Sequence, residues 1–265
     1  MLKLPKISCL TVTKNRFDLL IKSISCYRNQ SYSNKELIIV SQSDQSTNDR
    51  IRAYLKDQPD VLFVTVSESK SLGLLRNLSV ELATGELLCQ WDDDDISHPH
   101  RLATQYSMLD TYSVACLYTQ HLKYFANTNE LYWIDWSQES LPLHRFLPGT
   151  VMFRKKIYSK FHGMFYPEHG RQSSKEEDMC VLNKLMKSGD VVDVNKGYQY
   201  IYVYHGQNVY DIRHHQLVFD KVVMNAVDLQ RNSHLINETL KAGNFQTVNV
   251  RSLEERAFVY ARETN

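Results

Sequence analysis

The sequence predicts an α/β protein, a Rossmann-like three-layer α/β/α sandwich around a mostly parallel sheet. Short apolar runs alternate with helical patterns between residues 7 and 109, at the spacing of β-α-β units. Four consecutive aspartates follow one of these runs. The composition, 43% hydrophobic with a formal net charge of +1, indicates a substantial core and excludes bulk nucleic-acid binding.

The predicted strands of the first part are continuous apolar runs, as expected for strands buried on both faces. They are Ile7–Val12, Glu36–Val40, Val61–Val66 and Leu87–Trp91. Between them, apolar side chains recur at helical spacing and predict helices over Phe17–Tyr27, Ile51–Leu55, Leu75–Leu82 and Leu102–Leu109. Ser46, Thr47 and Asn48 offer an N-cap for the second helix, and Gly85 can end the third.

The second part of the chain is less regular. The predicted elements are a hairpin, two strands and two helices. They are His121–Phe125 with Leu131–Trp136, Gly149–Arg154, Glu177–Lys187, Gln199–Tyr204 and a long helix over Arg213–Leu240. We therefore expect one main domain over residues 1–210 and a C-terminal helical extension, residues 211–265, packed on it.

The cysteines and the apolar runs predict where the protein works. Five cysteines are widely spaced, without a CxxC pair, which suggests reduced thiols and a cytoplasmic setting. The segment Met1–Lys6 is too short for a signal peptide, and no apolar stretch is long enough to span a bilayer. A membrane-linked substrate would have to be reached by peripheral contact at the inner face of the membrane.

The acidic run Asp92–Asp95 is the most informative feature of the sequence. It follows a predicted buried strand directly, and ligands of open α/β sheets bind beyond the carboxyl ends of the strands. Mg²⁺ and Mn²⁺ take carboxylate oxygens and share them with phosphates, so the run predicts a site for one of these ions. A solvated acidic loop is the alternative. An EF-hand calcium loop is excluded, because Ser97 replaces the turn glycine and Ala103 the bidentate glutamate.

The segment from Ser71 to Leu102 resembles the family 2 glycosyltransferases of the GT-A fold. The resemblance rests on Gly73, Arg76-Asn77, Ala83-Thr84-Gly85-Glu86, Asp92–Asp95 and Pro99-His100-Arg101-Leu102. Further segments are similar to the first two strands of the family, to its Glu-Asp motif and to a weaker His-containing motif. These are residues 7–16, 36–40, 176–178 and 205–208.

The resemblance implies a metal-dependent, inverting hexosyl- or N-acetylhexosaminyltransferase. Its donor is a nucleotide-sugar, UDP-sugar first, and its acceptor a saccharide or lipid-linked saccharide in bacterial surface-polysaccharide assembly. The implied donor-binding residues are Thr13, Lys14, Asn15, Arg16, Gln42, Asp44, Arg76, Asp92 and Asp93. The implied metal ligands are Asp92, Asp94 and His205. Candidate acceptor-binding residues are Trp133, Trp136 and Glu177, and packing in the core of the hairpin is the alternative for the two tryptophans.

Two positions depart from the family pattern. Ser41-Gln42-Ser43, with Asp44 slightly later, stands where the family shows Asp-Asp-x-Ser and reads the nucleotide base with an aspartate. Gln42 can still accept a hydrogen bond from a pyrimidine N–H, although its amide also donates. Lys14 stands where an aromatic residue often stacks on the base.

Asp178 is the predicted general base. Inverting glycosyl transfer needs a carboxylate that takes the acceptor hydroxyl proton as that oxygen attacks the anomeric carbon. Asp178 begins a predicted helix and matches the Glu-Asp motif of the family. A purely structural role, as an acid in the first turn of the helix, is the alternative.

Two other functions compete with glycosyl transfer. A sugar nucleotidyltransferase needs a Gly-rich phosphate loop after the first strand, and Thr13-Lys14-Asn15-Arg16-Phe17 contains no glycine. Dinucleotide and P-loop motifs are also absent from the sequence. A non-catalytic nucleotide- or glycan-binding protein on the same fold is favoured by Lys14 and Gln42 but disfavoured by Asp178 and the aspartate run.

Overall fold

The computed structural model describes residues 4–161, 165–170, 172–208 and 222–262. Within these ranges the strands are β1 Ile7–Thr13, β2 Lys35–Ser41, β3 Val61–Thr65, β4 Leu87–Gln90, β5 Ile96–Ser97, β6 Ala115–Tyr118, β7 Gln120–Phe125, β8 Glu130–Asp135, β9 Met152–Arg154, β10 Val191–Val194, β11 Tyr200–Tyr204, β12 Thr247–Arg251 and β13 Arg256–Ala261. The α-helices are α1 Phe17–Arg28, α2 Gln45–Leu55, α3 Leu72–Leu82, α4 Arg101–Met108, α5 Gln172–Lys175, α6 Glu177–Ser188, α7 Ala226–Arg231 and α8 Ser233–Ala242. Short 3₁₀ segments lie at Pro142–Arg145, Pro148–Thr150, Lys155–Phe161 and Gly197–Gln199.

The larger sheet is mostly parallel, which confirms the predicted fold class. Its strand order is β10-β6-β9-β4-β1-β2-β3, and only β9 runs antiparallel to its neighbours, β4 and β6. The central strands β1, β2 and β4 have almost wholly buried residues, as continuous apolar sequence predicts. Because β1, β2 and β4 are parallel, their carboxyl ends meet at one edge of the sheet.

A second sheet packs beside the first, with the order β13-β12-β8-β7-β11-β5. It contains the predicted hairpin, which is β7 with β8. The two-residue strand β5 lies directly after the aspartate run and pairs with β11. This pairing brings the end of β11 against the end of β4.

The C-terminal segment is not wholly helical as predicted. Residues 213–221, the start of the predicted long helix, lie outside the described residues. Beyond them the chain forms α7 and α8 and then the hairpin β12–β13, whose first strand extends the second sheet by pairing with β8. Leu240 and Val250 are fully buried in the same core cluster as Leu122 and Ile201. The segment therefore completes the second sheet.

The helix ends follow local capping chemistry. Asp44, and not the predicted Ser46, Thr47 or Asn48, is the N-cap of α2, since its carboxylate accepts a hydrogen bond from the Thr47 N–H at 2.7 Å. Ser71 caps α3 in the same way, through the Leu74 N–H. In the described ranges, no helix has the length and apolar character needed to cross a bilayer.

Candidate active site

A cleft of about 200 Å³ opens where β1 and β4 end. It is walled by α3 and the start of α6 on one side and by the end of β11 on the other. The lining residues are Val12, Arg16, Leu72, Arg76, Gln90, Asp92, Asp93, Asp94, Asp95, Leu147, Pro148, Gly149, Glu177, Asp178, Tyr200, Tyr202 and Asn208. The cleft thus brings together the aspartate run and Asp178, which are 83 residues or more apart in the sequence.

Asp95 is the structural member of the aspartate run. Its carboxylate is buried and accepts hydrogen bonds from the Tyr200 hydroxyl and, at 2.8 Å, from the Val203 N–H. Burial and the charge of Asp94 hold the pKa of Asp95 well above its ordinary value. Through these hydrogen bonds, the Asp95 carboxyl holds the segment after β4 against β11.

Asp93 and Asp94 share a cationic partner, Arg16. The Arg16 guanidinium donates to Asp94 Oδ2 at 2.9 Å and to Asp93 Oδ1 at 3.4 Å. His205 Nε2 lies 3.0 Å from the same Asp94 oxygen. Burial and the charge of Asp94 raise the pKa of the Asp93 carboxyl to about 7. Asp94 is therefore the carboxylate around which both Arg16 and His205 converge.

Asp92 occupies the other end of the run. Both of its carboxylate oxygens lie 3.2 Å from Gln90 Nε2, and Oδ1 accepts from Arg76 at 3.3 Å. Gly149 passes so close that a Cβ there would lie 2.8 Å from Asp92 Oδ2. Any larger residue at this position would therefore displace the Asp92 carboxylate.

Asp178 faces this group from the first turn of α6. Arg76 connects the two sides, because its Nε donates to Glu177 Oε1 at 3.1 Å while Nη2 reaches Asp92. Burial, followed by the neighbouring charge of Glu177, raises the pKa of the Asp178 carboxyl to about 6. A carboxylate with such a pKa can both lose its own proton near neutrality and accept another.

The loop after β1 and the loop after β2 lie side by side. The Asp44 N–H donates to Asn15 Oδ1, and the Asn15 N–H donates to Ser43 Oγ, both at 2.8 Å. Asn15 has a φ of 54°, a left-handed conformation that asparagine tolerates. Thr13 is buried at the end of β1, whereas Lys14 is exposed. Asp44 is exposed, and its carboxylate is used by the α2 cap.

Gln42 is held by the chain that follows β3. Its amide nitrogen donates to the Glu68 carbonyl at 2.9 Å and reaches the Lys70 carbonyl at 3.5 Å. These contacts orient the amide, because the NH₂ end is directed at two carbonyls. The acceptor oxygen of Gln42 is then the end that remains for a ligand.

The two tryptophans proposed for the acceptor differ in their surroundings. Trp133 is 4% exposed, donates its indole N–H to Gln120 and packs near Tyr198. It belongs to the core of the second sheet and presents no face to a sugar, so that assignment is wrong for Trp133. Trp136 is partly exposed at the end of β8. Neither lines the cleft, whereas Glu177, the third acceptor candidate, does.

Several residues that hold the site were missed from the sequence. Asn77 makes three hydrogen bonds to the segment 165–168: with the Tyr166 carbonyl, the Tyr166 N–H and Glu168 Oε1. Arg101 is buried between the rings of Trp91 and Tyr200 and donates to the Gln90 carbonyl at 3.0 Å. Asn77 and Arg101 stand in the quoted motifs, so their positions were visible even though their partners were not.

The donor set fits a cation that arrives with its own ligands. Among the described residues, no three His, Cys, Asp or Glu side chains are arranged to hold a metal ion. Asp94 and His205 meet at 3.0 Å, and Asp92 lies in the same cleft. Mg²⁺ is commonly held by one or two carboxylates together with substrate phosphates and water. These residues suit that mode of binding and not a cage made by protein alone.

Curated relatives at the sequence level are glycosyltransferases. The chain is 34% identical over 102 residues to the putative colanic acid biosynthesis glycosyl transferase WcaA of Escherichia coli, covering 37% of this chain and 36% of that protein. It is 25% identical over 198 residues to the uncharacterized glycosyltransferase MJ1057 of Methanocaldococcus jannaschii, covering 70% of this chain and 62% of that protein. The chain thus spans about a third to two thirds of the length of these relatives.

Solved structures share the fold at low identity. Staphylococcus aureus TarS 1–349 in complex with UDP gives a TM-score of 0.60 at 15% identity, covering 90% of this chain and 71% of that one. The mannosyltransferase PcManGT of Pyrobaculum calidifontis, in complex with GDP-Man and Mn²⁺, gives a TM-score of 0.58 at 12% identity, covering 91% and 64%. The family model "Glycosyl transferase family 2" matches residues 8–173. With that match over more than half of its length, this chain belongs to glycosyltransferase family 2.

Proposed function

We propose that this protein transfers a sugar from a nucleotide-sugar donor to a hydroxyl of a saccharide or lipid-linked saccharide acceptor, with inversion at the anomeric carbon. The observation that carries the proposal is the composition of the cleft. Asp92, Asp94 and His205 offer ligands for a cation on one side, and Asp178, with its pKa raised to about 6, faces them. An inverting reaction needs a charge-neutralising side for the leaving group and a base on the opposite side.

Asp178 is the group that moves the proton. The acceptor hydroxyl gives its proton to the Asp178 carboxylate while its oxygen forms a bond to the anomeric carbon. The bond from that carbon to the diphosphate oxygen breaks, and its electron pair leaves with the diphosphate. A divalent cation, when bound, would neutralise this leaving group. Arg16, which lies against Asp93 and Asp94, adds a positive charge of the chain itself on the same side.

Gln42 is proposed to select the base of the nucleotide. With its NH₂ directed at the Glu68 and Lys70 carbonyls, its oxygen can accept a hydrogen bond from a base that carries a ring N–H. Uracil and guanine have such an N–H, whereas cytosine presents an acceptor nitrogen. The solved neighbours bind UDP, UDP-GlcNAc and GDP-Man. We propose a UDP-sugar first, and a GDP-sugar as the alternative.

The proposed pathway is the assembly of a surface polysaccharide. The support comes from WcaA, which is named for colanic acid biosynthesis.

The test is release of nucleotide from a panel of UDP- and GDP-sugars with Mg²⁺ or Mn²⁺, by the wild type and by Asp178→Asn. Asparagine is nearly isosteric but cannot accept the proton, so turnover should fall by about 100-fold or more while the fold and the donor affinity remain. The matched control is Asp190→Asn, an exposed carboxyl after α6. Normal turnover of Asp178→Asn would contradict the assignment of the base. Nucleotide binding without any turnover of any donor would favour a binding protein.

A further inference from the structure

Arg76 joins carboxylates from the two sides of the cleft. It projects from α3, and its guanidinium contacts Glu177 Oε1 at 3.1 Å and Asp92 Oδ1 at 3.3 Å. The Arg76 side chain is 12% exposed, and that of Glu177 is 5% exposed. Arg76, a largely buried cation, therefore contacts both the candidate metal ligand Asp92 and Glu177, the residue directly before the candidate base.

Charged groups on three elements influence Asp178. Glu177 precedes it on α6, Arg76 faces it from α3, Asp92 faces it from the end of β4, and Tyr166 lies beside them. Burial makes the largest contribution to the raised pKa of Asp178, and Glu177 the next; Asp92 also raises it. Arg76 and the Met179 N–H, at 2.7 Å from Asp178 Oδ1, lower it.

We propose that Arg76 and Glu177 are positioning residues for the reaction proposed above: their ion pair holds the first turn of α6 against α3 and sets the charge around Asp178. The proposal rests on Asp178 being the base of that reaction. Glu177 and Asp178 are consecutive, so the ion pair between Arg76 and Glu177 fixes the first turn of α6 against α3. The same guanidinium determines how much positive charge Asp178 meets.

The experiment measures the titration of Asp178 directly. Carbon-13 NMR of the aspartate carboxyl groups follows Asp178 in the nucleotide-free protein, and the signal missing from Asp178→Asn assigns it. Arg76→Gln should raise the pKa of Asp178 by about one unit or more, because an opposite charge is lost. Glu177→Gln should lower it, because a like charge is lost.

Arg16→Gln is the matched control. It removes an equal charge from the same cleft, but one that contacts Asp93 and Asp94 and not Glu177. The titration of Asp178 should move much less in this variant. Removing one partner of a buried ion pair is strongly destabilising, so Arg76→Gln/Glu177→Gln is the second variant if Arg76→Gln does not fold. In the double variant the two shifts should largely cancel.

Unchanged titration in both single variants, shifts in the same direction, or an equal shift in Arg16→Gln would overturn the proposal. A salt bridge that only stabilises the fold would change the melting temperature and leave the titration in place. Failure of the proposed function is distinguishable, since it would appear as normal turnover of Asp178→Asn.

Discussion

Asp94 is the central contact on the proposed donor side of the cleft. Its carboxylate meets both Arg16 and His205, whereas Asp95 is committed to Tyr200 and Val203. Asp94→Ala should therefore weaken the Mg²⁺-dependent binding of UDP by about 10- to 100-fold, the scale of a lost charged contact. Asp92→Ala should weaken it less. Calorimetry with UDP, with Mg²⁺ and after chelation, measures both effects. Undiminished affinity of the wild type after chelation would contradict the role of the metal.

Gln42 makes a second prediction at the residue scale. Gln42→Leu keeps the approximate volume but removes the acceptor oxygen and the two contacts to the Glu68 and Lys70 carbonyls. UDP affinity should fall by about 5- to 10-fold, the value of roughly one hydrogen bond, with little change of turnover at saturating donor. Gln42→Glu restores a family-like carboxylate acceptor and should retain more affinity than Gln42→Leu. Equal UDP affinity in all three proteins would remove Gln42 from the base site.

Single residues also show what sequence alone could predict. The positions of Asp92–Asp95, Arg76 and Asp178 followed from motifs, because the residue types that carry this chemistry are few. Their partners did not follow, since Arg76 lies 101 residues from Glu177 and Asp95 lies 108 from Val203. The choice between an acceptor-binding and a core role for Trp133 stayed open for the same reason. Whether an aromatic side chain faces solvent or the core depends on which other strands pair with the hairpin, and the sequence of the hairpin alone does not specify those strands.

At the scale of elements, α3 and the segment 165–170 form the support of Asp178, the proposed base. Gly73 at the start of α3 packs directly on this segment, since a Cβ there would lie 1.9 Å from the Pro167 carbonyl oxygen. Asn77, one turn further on, accepts from the Tyr166 N–H and donates to the Tyr166 carbonyl. The consecutive residues Arg76 and Asn77 thus have different roles: Arg76 lies in the cleft, whereas Asn77 holds the segment 165–168.

Asn77→Ala should lower the free energy of unfolding by about 2 kcal/mol or more, because it leaves the buried N–H and carbonyl of Tyr166 without their side-chain partner. Turnover should fall as well, since the segment leads through α5 into α6, and α6 carries Asp178. Tyr27→Phe is the control: it removes the 2.7 Å hydrogen bond to Asp60, away from the cleft, and should lower stability alone. Urea unfolding and nucleotide release measure the two effects. Full activity of a destabilised Asn77→Ala would show that the support does not position the base.

The elements predicted from sequence were those with continuous apolar runs or clear helical spacing. Three short strands, β6, β10 and the two-residue β5, were missed because four residues or fewer carry no period. The equally short β4 and β9 were predicted as parts of the longer segments Leu87–Trp91 and Gly149–Arg154. The hairpin β12–β13 had a usable signal. Thr247–Arg251 alternates, and a short polar loop separates it from the β-branched and aromatic residues of Arg256–Ala261. An expectation of helix continuing from residue 213 concealed that pattern.

At the scale of the whole molecule, the question is whether the C-terminal segment is separable. β12 pairs with β8, the Met224 N–H donates to the Trp133 carbonyl at 2.9 Å, and Thr239 donates to the Tyr198 carbonyl at 2.6 Å. Buried residues of α8, β12 and β13 belong to the core that also contains β1 and β4. Through β7, β8 and β11, the segment therefore supports the strand that holds Asp95.

Leu240→Ala tests this integration, because Leu240 is fully buried on α8. The three tryptophans, Trp91, Trp133 and Trp136, all precede residue 211, so tryptophan fluorescence reports mainly on that part of the chain and on its contact with the C-terminal segment. If the molecule unfolds as one unit, the free energy of unfolding obtained from the fluorescence transition in urea should fall by about 2–5 kcal/mol, the range for replacing a buried leucine with alanine. Leu122→Ala, in β7, is the control and should shift the same transition by a similar amount. A fluorescence transition of Leu240→Ala that stays at the wild-type midpoint, while circular dichroism shows an earlier loss of helix, would instead indicate a separable extension.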